Sequence, residues 1–307
     1  MDPLSDFLDG PRARNAFLLR VVMSPPWAID VADGAPLTLV AVLDGHSWVV
    51  PDGEAAVHLR RGDVFVVSGE APYLLSSELG LSPTVHIGSG QACSGPDGRD
   101  LSTELSAGVR TWGNDVDGED RLLVGTFRSA GEVGRILLDS LPRTFVVRAE
   151  DNPMVAALAD EVVRDGIAQG TILDRLLDLV LIQAVRSWSE IAREARPDWL
   201  LGNRDPVVKD ALTLLHENPG QHWTTESLAG SVAVSRASLA RRFHAIVGQP
   251  PMAYLTKWRL ALAADLLRDP QLTLSAISQR VGYGSPFSFS TAFKKHYGVS
   301  PQGYRAG

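Results

Sequence analysis

The chain of 307 residues carries one cysteine, Cys93. An internal disulfide and a cysteine-rich zinc site are therefore excluded, and a lone thiol suits a reducing compartment. No stretch reaches the ~18 uninterrupted apolar residues of a membrane helix. The nearest, Ile172 to Val185, is broken by Asp174, Arg175 and Asp178. The opening Met1-Asp-Pro-Leu-Ser-Asp-Phe-Leu-Asp9 lacks the basic and apolar regions of a signal peptide, so the expectation is a soluble cytoplasmic protein. Nucleophile elbow, phosphate loop and paired-carboxylate motif are all missing. His46, His58 and His86 are scattered without ligand spacing. We expect no enzyme, no metal and no cofactor.

What remains is ordinary globular composition, 45% hydrophobic and 21% charged with 28 Gly and 19 Pro, which rules out wholesale disorder and collagen-like chains. The length predicts two domains, each able to bury a core. Charge is divided unevenly. Residues 1–203 hold 17 Lys+Arg against 30 Asp+Glu, a net of −13, whereas residues 204–307 hold 12 against 6, a net of +6. A basic last third behind an acidic remainder points to a polyanion-binding module attached to something else.

After a short helical stretch at Pro3–Leu8, residues 15–87 read as β. Apolar, β-branched runs such as Leu37–Leu43 and Val64–Val67 alternate with turn signals such as Asp44-Gly45, Pro51-Asp-Gly53 and Arg61-Gly62, the pattern of a sandwich or small barrel. Residues 88–120 are rich in Gly and Asp and read as a long surface loop with one strand near Val109–Trp112. Leu122–Phe127 and Phe145–Val147 again look like strands. The period then changes to 3.6. Asp151/Asn152 and Pro153 open one helix. A second, after Gly170, puts Leu173, Leu176, Leu177, Val180, Leu181, Ala184, Val185 and Trp188 on one stripe. That stripe must be covered, by the β domain, by a second subunit or by both at once.

The last hundred residues contain a repeat at an offset of 50. Ser235, Ser238, Leu239, Phe243, Gly248, Pro251 and Tyr254 are matched by Ser285, Ser288, Phe289, Phe293, Gly298, Pro301 and Tyr304. Each copy reads as a short helix, a tight turn and a Ser-capped second helix, the helix-turn-helix pattern. The i, i+4 pairs Leu239/Phe243 and Phe289/Phe293 anchor each second helix, and Gly248 and Gly298 suit its left-handed end. Between the copies Met252–Arg268 reads as one helix, a rod of ~25 Å at ~1.5 Å per residue. Such a rod suits two recognition helices about one DNA turn apart, ~34 Å.

At these residues the sequence resembles the AraC/XylS family of bacterial transcription regulators. The resemblance runs over roughly residues 205–305 through Trp223–Gly230, Ser235–Phe243, Gly248–Leu260, Val281–Ser285, Phe289–Lys295 and Tyr297–Arg305. More loosely, Gly45–Val49, Arg61–Val67, Leu138–Pro142 and Arg186–Trp188 resemble the cupin-type ligand-binding domain of one branch of that family. The resemblance implies an α+β multidomain protein. A cupin-like effector-binding barrel would span 1–150, a helical dimerisation segment 151–203, and an all-α double helix-turn-helix 204–307. It implies an effector-controlled transcription regulator, an activator or a repressor, with double-stranded DNA, a small molecule, a second copy held through residues 171–190 and RNA polymerase as candidate partners.

By family position Arg241 is the base reader, since Arg reads guanine bidentately. Arg236 and Arg242, with Ser235 and Ser238, complete the first contact set. The second copy offers Ser285, Phe287, Ser288, Thr291, Lys294 and Lys295. Thr291 replaces the family's usual Arg, and Pro286 and Phe287 stand where polar readers are common, so this copy is expected to supply phosphate contacts and a thymine-methyl contact. Metal-binding cupins use an H-x-H and a later His. Gly45–Glu54 lacks the H-x-H, and Tyr73 takes the later His place. An apolar effector pocket with Trp27, Trp48 and Tyr73 as walls is the expectation. The rivals are a metal-dependent cupin enzyme carrying a DNA-binding tail, and a barrel that only dimerises.

Overall fold

A computed structural model describes residues 13, 16–127, 131–149, 152–191 and 205–306. The helix expected at Pro3–Leu8 lies outside them, as do Asp151 and the linker 192–204. The chain divides into two compact units. One comprises residues 12–130 and 141–193, and the other comprises 1–11, 131–140 and 194–307.

The first unit is a β-sandwich. Its seven-stranded sheet runs β10 (Ser106–Gly108), β11 (Thr111–Trp112), β1 (Phe17–Met23), β12 (Asp120–Phe127), β3 (Leu37–Asp44), β6 (Val64–Ser68) and β13 (Thr144–Val147). The six-stranded sheet runs β5 (Val57–Arg60), β4 (His46–Pro51), β7 (Tyr73–Ser76), β2 (Ala28–Val31), β8 (Val85–Gly88) and β9 (Ala92–Ser94). Period-two alternation sends Val21, Val40, Val42, Phe65, Leu75 and Leu122 into one core between the sheets. Gly45 turns β3 into β4 at φ +68°, and a Cβ there would lie 2.3 Å from the Asp120 carboxylate, so only glycine fits.

Helices α2 (Pro153–Val162) and α3 (Gln169–Ile191) pack on the outside of the seven-stranded sheet. Asn152 caps α2, its side-chain oxygen accepting from the amides of Met154 and Val155. Gly125 on β12 leaves the hollow into which Leu177 of α3 drops, since a Cβ there would meet Leu177 at 2.5 Å. Trp188 stacks near Phe145 at 5.5 Å. The stripe of α3 is thus packed on its own barrel, and both helices belong to that unit.

The second unit contains α4 (Pro206–Glu217), α5 (Thr225–Ser231), α6 (Arg236–Val247), α7 (Pro251–Leu267), α8 (Leu274–Arg280), α9 (Pro286–Tyr297) and α10 (Pro301–Ala306). It also contains α1 (Gly131–Leu138), a helix between β12 and β13 that the sequence pattern did not reveal. The pairs α5–α6 and α8–α9 are the two helix-turn-helix copies. Leu239 and Phe243, like Phe289 and Phe293, are fully buried. Tyr254 meets Phe243 edge-on at 5.7 Å, and Tyr304 meets Phe293 edge-on at 5.4 Å, so the repeat extends into packing. The turns differ. Ala233 takes a left-handed φ of +55° in the first copy and Gly282 takes +81° in the second, which has one residue more before its capping serine. Within α7, Arg259 acts as a clamp, donating to the carbonyls of Pro219 and Gln221 at 2.7 Å each.

Candidate DNA interface and barrel cavity

Each recognition helix begins with a serine cap. Ser235 Oγ accepts from the Ser238 amide at 3.2 Å, and Ser285 Oγ accepts from the Ser288 amide at 3.1 Å. Both helices end at a left-handed glycine, Gly248 at φ +74° and Gly298 at +78°. With Leu239 and Phe243 buried, α6 turns Arg236, Ala237 and Arg241 to solvent. Among the described residues neither Arg236 nor Arg241 is held in an ion pair. Their guanidinium donors are open to an incoming acceptor.

Arg242 is different, because its guanidinium is engaged. Its Nε and Nη2 donate to the two carboxylate oxygens of Asp205 at 2.6 and 2.7 Å. Asp205 is also the N-cap of α4, accepting from the amides of Val207 and Val208. Burial pushes the Asp205 carboxyl up, but the Arg242 fork and those two amides outweigh it and hold it below the ordinary range. Arg242 therefore ties α6 to α4.

On α9 Phe287, Ser288, Thr291, Lys294 and Lys295 are all exposed, Phe287 at 83%. Two of the hydroxyls already donate within the helix, Ser288 to the Ser285 carbonyl at 2.9 Å and Thr291 to the Phe287 carbonyl at 3.0 Å. The lysines near the C-terminal end of α9 also complement its dipole.

The barrel holds a cavity of about 300 Å³ between its sheets. Phe17, Leu19 and Val21 of β1, Ile29 and Val31 of β2, and Tyr73 and Leu75 of β7 give it an apolar wall. Polar groups gather at one side, where Gln91 Nε2 donates to Asp33 at 2.6 Å and Arg110 donates to Gln169. Cys93 also lines the cavity and is 8% exposed. Burial, with the Asp100 charge behind it, pushes its thiol up, so it stays protonated. Tyr73 is likewise pushed up by burial.

Of the three aromatics expected as walls, only Tyr73 lines this cavity. Trp27 is buried in the core, its indole N–H donating at 2.8 Å to Asp120, which also accepts from the His46 amide at 3.0 Å. Trp48 points outward, because Val49 beside it takes the inward position of β4; it stacks on His58 at 4.6 Å. The residues missed were legible in strand parity, since Phe17, Leu19 and Val21 share one face. Elsewhere His86 meets Asp30 at 3.1 Å and His46 meets the Ser77 carbonyl at 3.1 Å. The His46 and His58 rings meet edge-on at 5.4 Å, but among the described residues no cluster has the ligands for a metal ion.

A cupin family model matches residues 2–190, and a helix-turn-helix domain model matches residues 228–307. A putative AraC-like transcription regulator of Streptomyces antibioticus is 34% identical over 313 residues, covering 99% of this chain and 98% of that protein. The HTH-type transcriptional regulator AlkR of Acinetobacter baylyi is 29% identical over 320 residues, covering 99% of both. Among solved structures, the C-terminal domain of AraT, a response regulator from Geobacillus stearothermophilus, is 39% identical with a TM-score of 0.33, over 33% of this chain and 85% of that one. Two capped helix-turn-helix copies behind a cupin sandwich, and relatives alike along their whole length, place the chain among the AraC-like DNA-binding transcription regulators.

Proposed function

We propose that this regulator acts as a homodimer, that its barrel cavity takes a small effector with an apolar body and one polar end, and that α6 reads DNA sequence chiefly through Arg241. The observation that carries the reading is the contrast on α6. Arg236 and Arg241 stand exposed with unengaged donors, while Arg242 is spent on Asp205. Arg241 then reads a base edge, Arg236 holds a phosphate or a neighbouring base, and Lys294 and Lys295 of α9 hold phosphates. Ser235 and Ser285 cap helix N-termini that face the backbone, with Ser238 and Ser288 in the first turns beside them, and Phe287 offers its ring to a thymine methyl.

The effector reading rests on the cavity's lining. Its volume is at the small end of ligand sites, about 300–1,000 Å³, and Asp33, Gln91 and Arg110 supply the orienting groups. The dimer reading rests on α3. With its main stripe packed on the barrel, Ile172, Leu179 and Ile182 remain exposed on the other side, at 43%, 45% and 38%. Their spacing of seven and three residues follows the heptad pattern.

Selection of bound duplexes from a random library at fixed salt tests the proposal. The expected result is two unequal half-sites, with most sequence information in one of them. Recovery of no preferred sequence would overturn it. A thermal-shift screen of small apolar compounds tests the cavity, because a ligand of the folded state raises its melting point.

A further inference from the structure

The feature left unexplained by DNA reading and effector binding is α1. In sequence it is an insertion between barrel strands β12 and β13, yet it folds as part of the DNA-binding unit. Its first turn is gripped by α7. The Asp265 carboxylate accepts from the Glu132 amide at 2.7 Å and from the Val133 amide at 3.1 Å, capping α1 from outside its own segment. Gly131 makes this possible. It has φ +66°, and a Cβ there would stand 2.9 Å from both Asp265 oxygens. From α10, Tyr304 donates to Glu132 at 3.0 Å. Val133 and Leu137 are buried.

A groove of about 530 Å³ runs beside α1, and its other walls are Tyr254, Lys257 and Trp258 of α7, Val247 at the end of α6, and His296 and Tyr297 at the end of α9. The helix therefore sits on the rod joining the two copies, next to the C-terminal ends of both recognition helices. It leaves Arg241 and Lys294 uncovered, so it does not block DNA. Its other attachment is covalent. Val124 of β12 lines the barrel cavity, and the chain reaches Gly131 seven residues later.

We propose that α1 is a transmission clasp. Docked on Asp265 and Tyr304 it holds the two recognition helices at one spacing, and strain in β12 on filling the cavity loosens or tightens it. This rests on the reading of the cavity as an effector site. It differs from steric autoinhibition in what it controls, which is tolerance of half-site spacing and not access to DNA.

The test uses the full chain and the selected duplex beside one with a single base pair added between half-sites. In the wild type the amides of residues 132–138 exchange slowly and the longer duplex binds more weakly. Asp265→Ala is expected to speed their exchange about tenfold, the usual cost of a lost cap, and to cut the preference between the two duplexes about fivefold. Tyr304→Phe acts in the same direction by a smaller factor, and carries the test if Asp265→Ala fails to fold. Val124→Phe, which puts a ring into the cavity, is expected to change exchange in 132–138 about threefold without changing β4 or β5. Unchanged spacing preference in the variants whose α1 exchange has accelerated would reduce α1 to a structural tie and overturn the proposal. Unchanged α1 exchange in Val124→Phe would sever it from the cavity. A wild type that prefers no duplex would instead sink the DNA-reading assignment on which it stands.

Discussion

Arg241 and Arg242 are neighbours in sequence and differ in what holds them. Arg241→Ala removes exposed donors and is expected to cost about 1–3 kcal/mol of operator affinity, with relaxed preference at one base pair. Quantitative binding to single-base operator variants checks this. Arg242→Ala instead leaves Asp205 without its fork and weakens the tie between α6 and α4. The same pair predicts a pH effect. The Asp205 carboxyl is held below its ordinary value in the folded unit, so its contribution is present above the unfolded value, about 3.9, and is lost as pH falls through the lower folded one. Thermal melts between pH 7 and pH 3 are expected to show a smaller acid loss in Asp205→Asn than in the wild type. An equal loss in both would remove this pair from the account.

At the scale of elements, α3 carries two apolar faces with different duties. Leu177 is 1% exposed and fills the hollow above Gly125. Leu177→Ala should cost about 2–5 kcal/mol of barrel stability, read by denaturant unfolding. Leu179 is on the open face. Leu179→Glu is expected to yield monomers in sedimentation while the barrel keeps its circular dichroism, and a dimer that survives would move the seam elsewhere. Sequence periodicity found α3 and its buried stripe because burial on one side leaves a 3.6-residue signature. It also found both helix-turn-helix copies, whose caps, anchors and terminal glycines each leave a residue behind. It missed α1 for a physical reason. The capping group is Asp265, 133 and 132 residues from the two amides it accepts from, and local sequence holds no trace of a cap supplied from elsewhere. The partner of Arg242 was illegible for the same reason, since it lies 37 residues earlier. The turn of the first copy shows a local compromise. Ala233 occupies a left-handed backbone that costs an L-residue roughly 1–2 kcal/mol, so Ala233→Gly is expected to raise the melting point of the DNA-binding unit.

Over the whole molecule, the two sheets, the linking rod and the charge division were legible, because each is a property of many residues at once. The wall of the cavity was legible only in part, since it depends on which parity of each strand faces inward, and an aromatic's size says nothing about that. The acidic remainder of the chain carries net −13 and the last third +6, so binding to DNA should depend steeply on salt. Lys294→Ala is expected to weaken selected and random duplexes alike and to lower the slope of log affinity against log salt by about 1. A loss confined to the selected duplex would make Lys294 a sequence reader.

The position of Cys93 has a practical consequence. The chain's only sulfhydryl forms part of the cavity wall and is held in its less reactive form. If a guest fills that space, the thiol is expected to react more slowly with Ellman's reagent or a maleimide dye. Colour development slowed by a candidate compound would then serve as an occupancy gauge that needs no installed reporter.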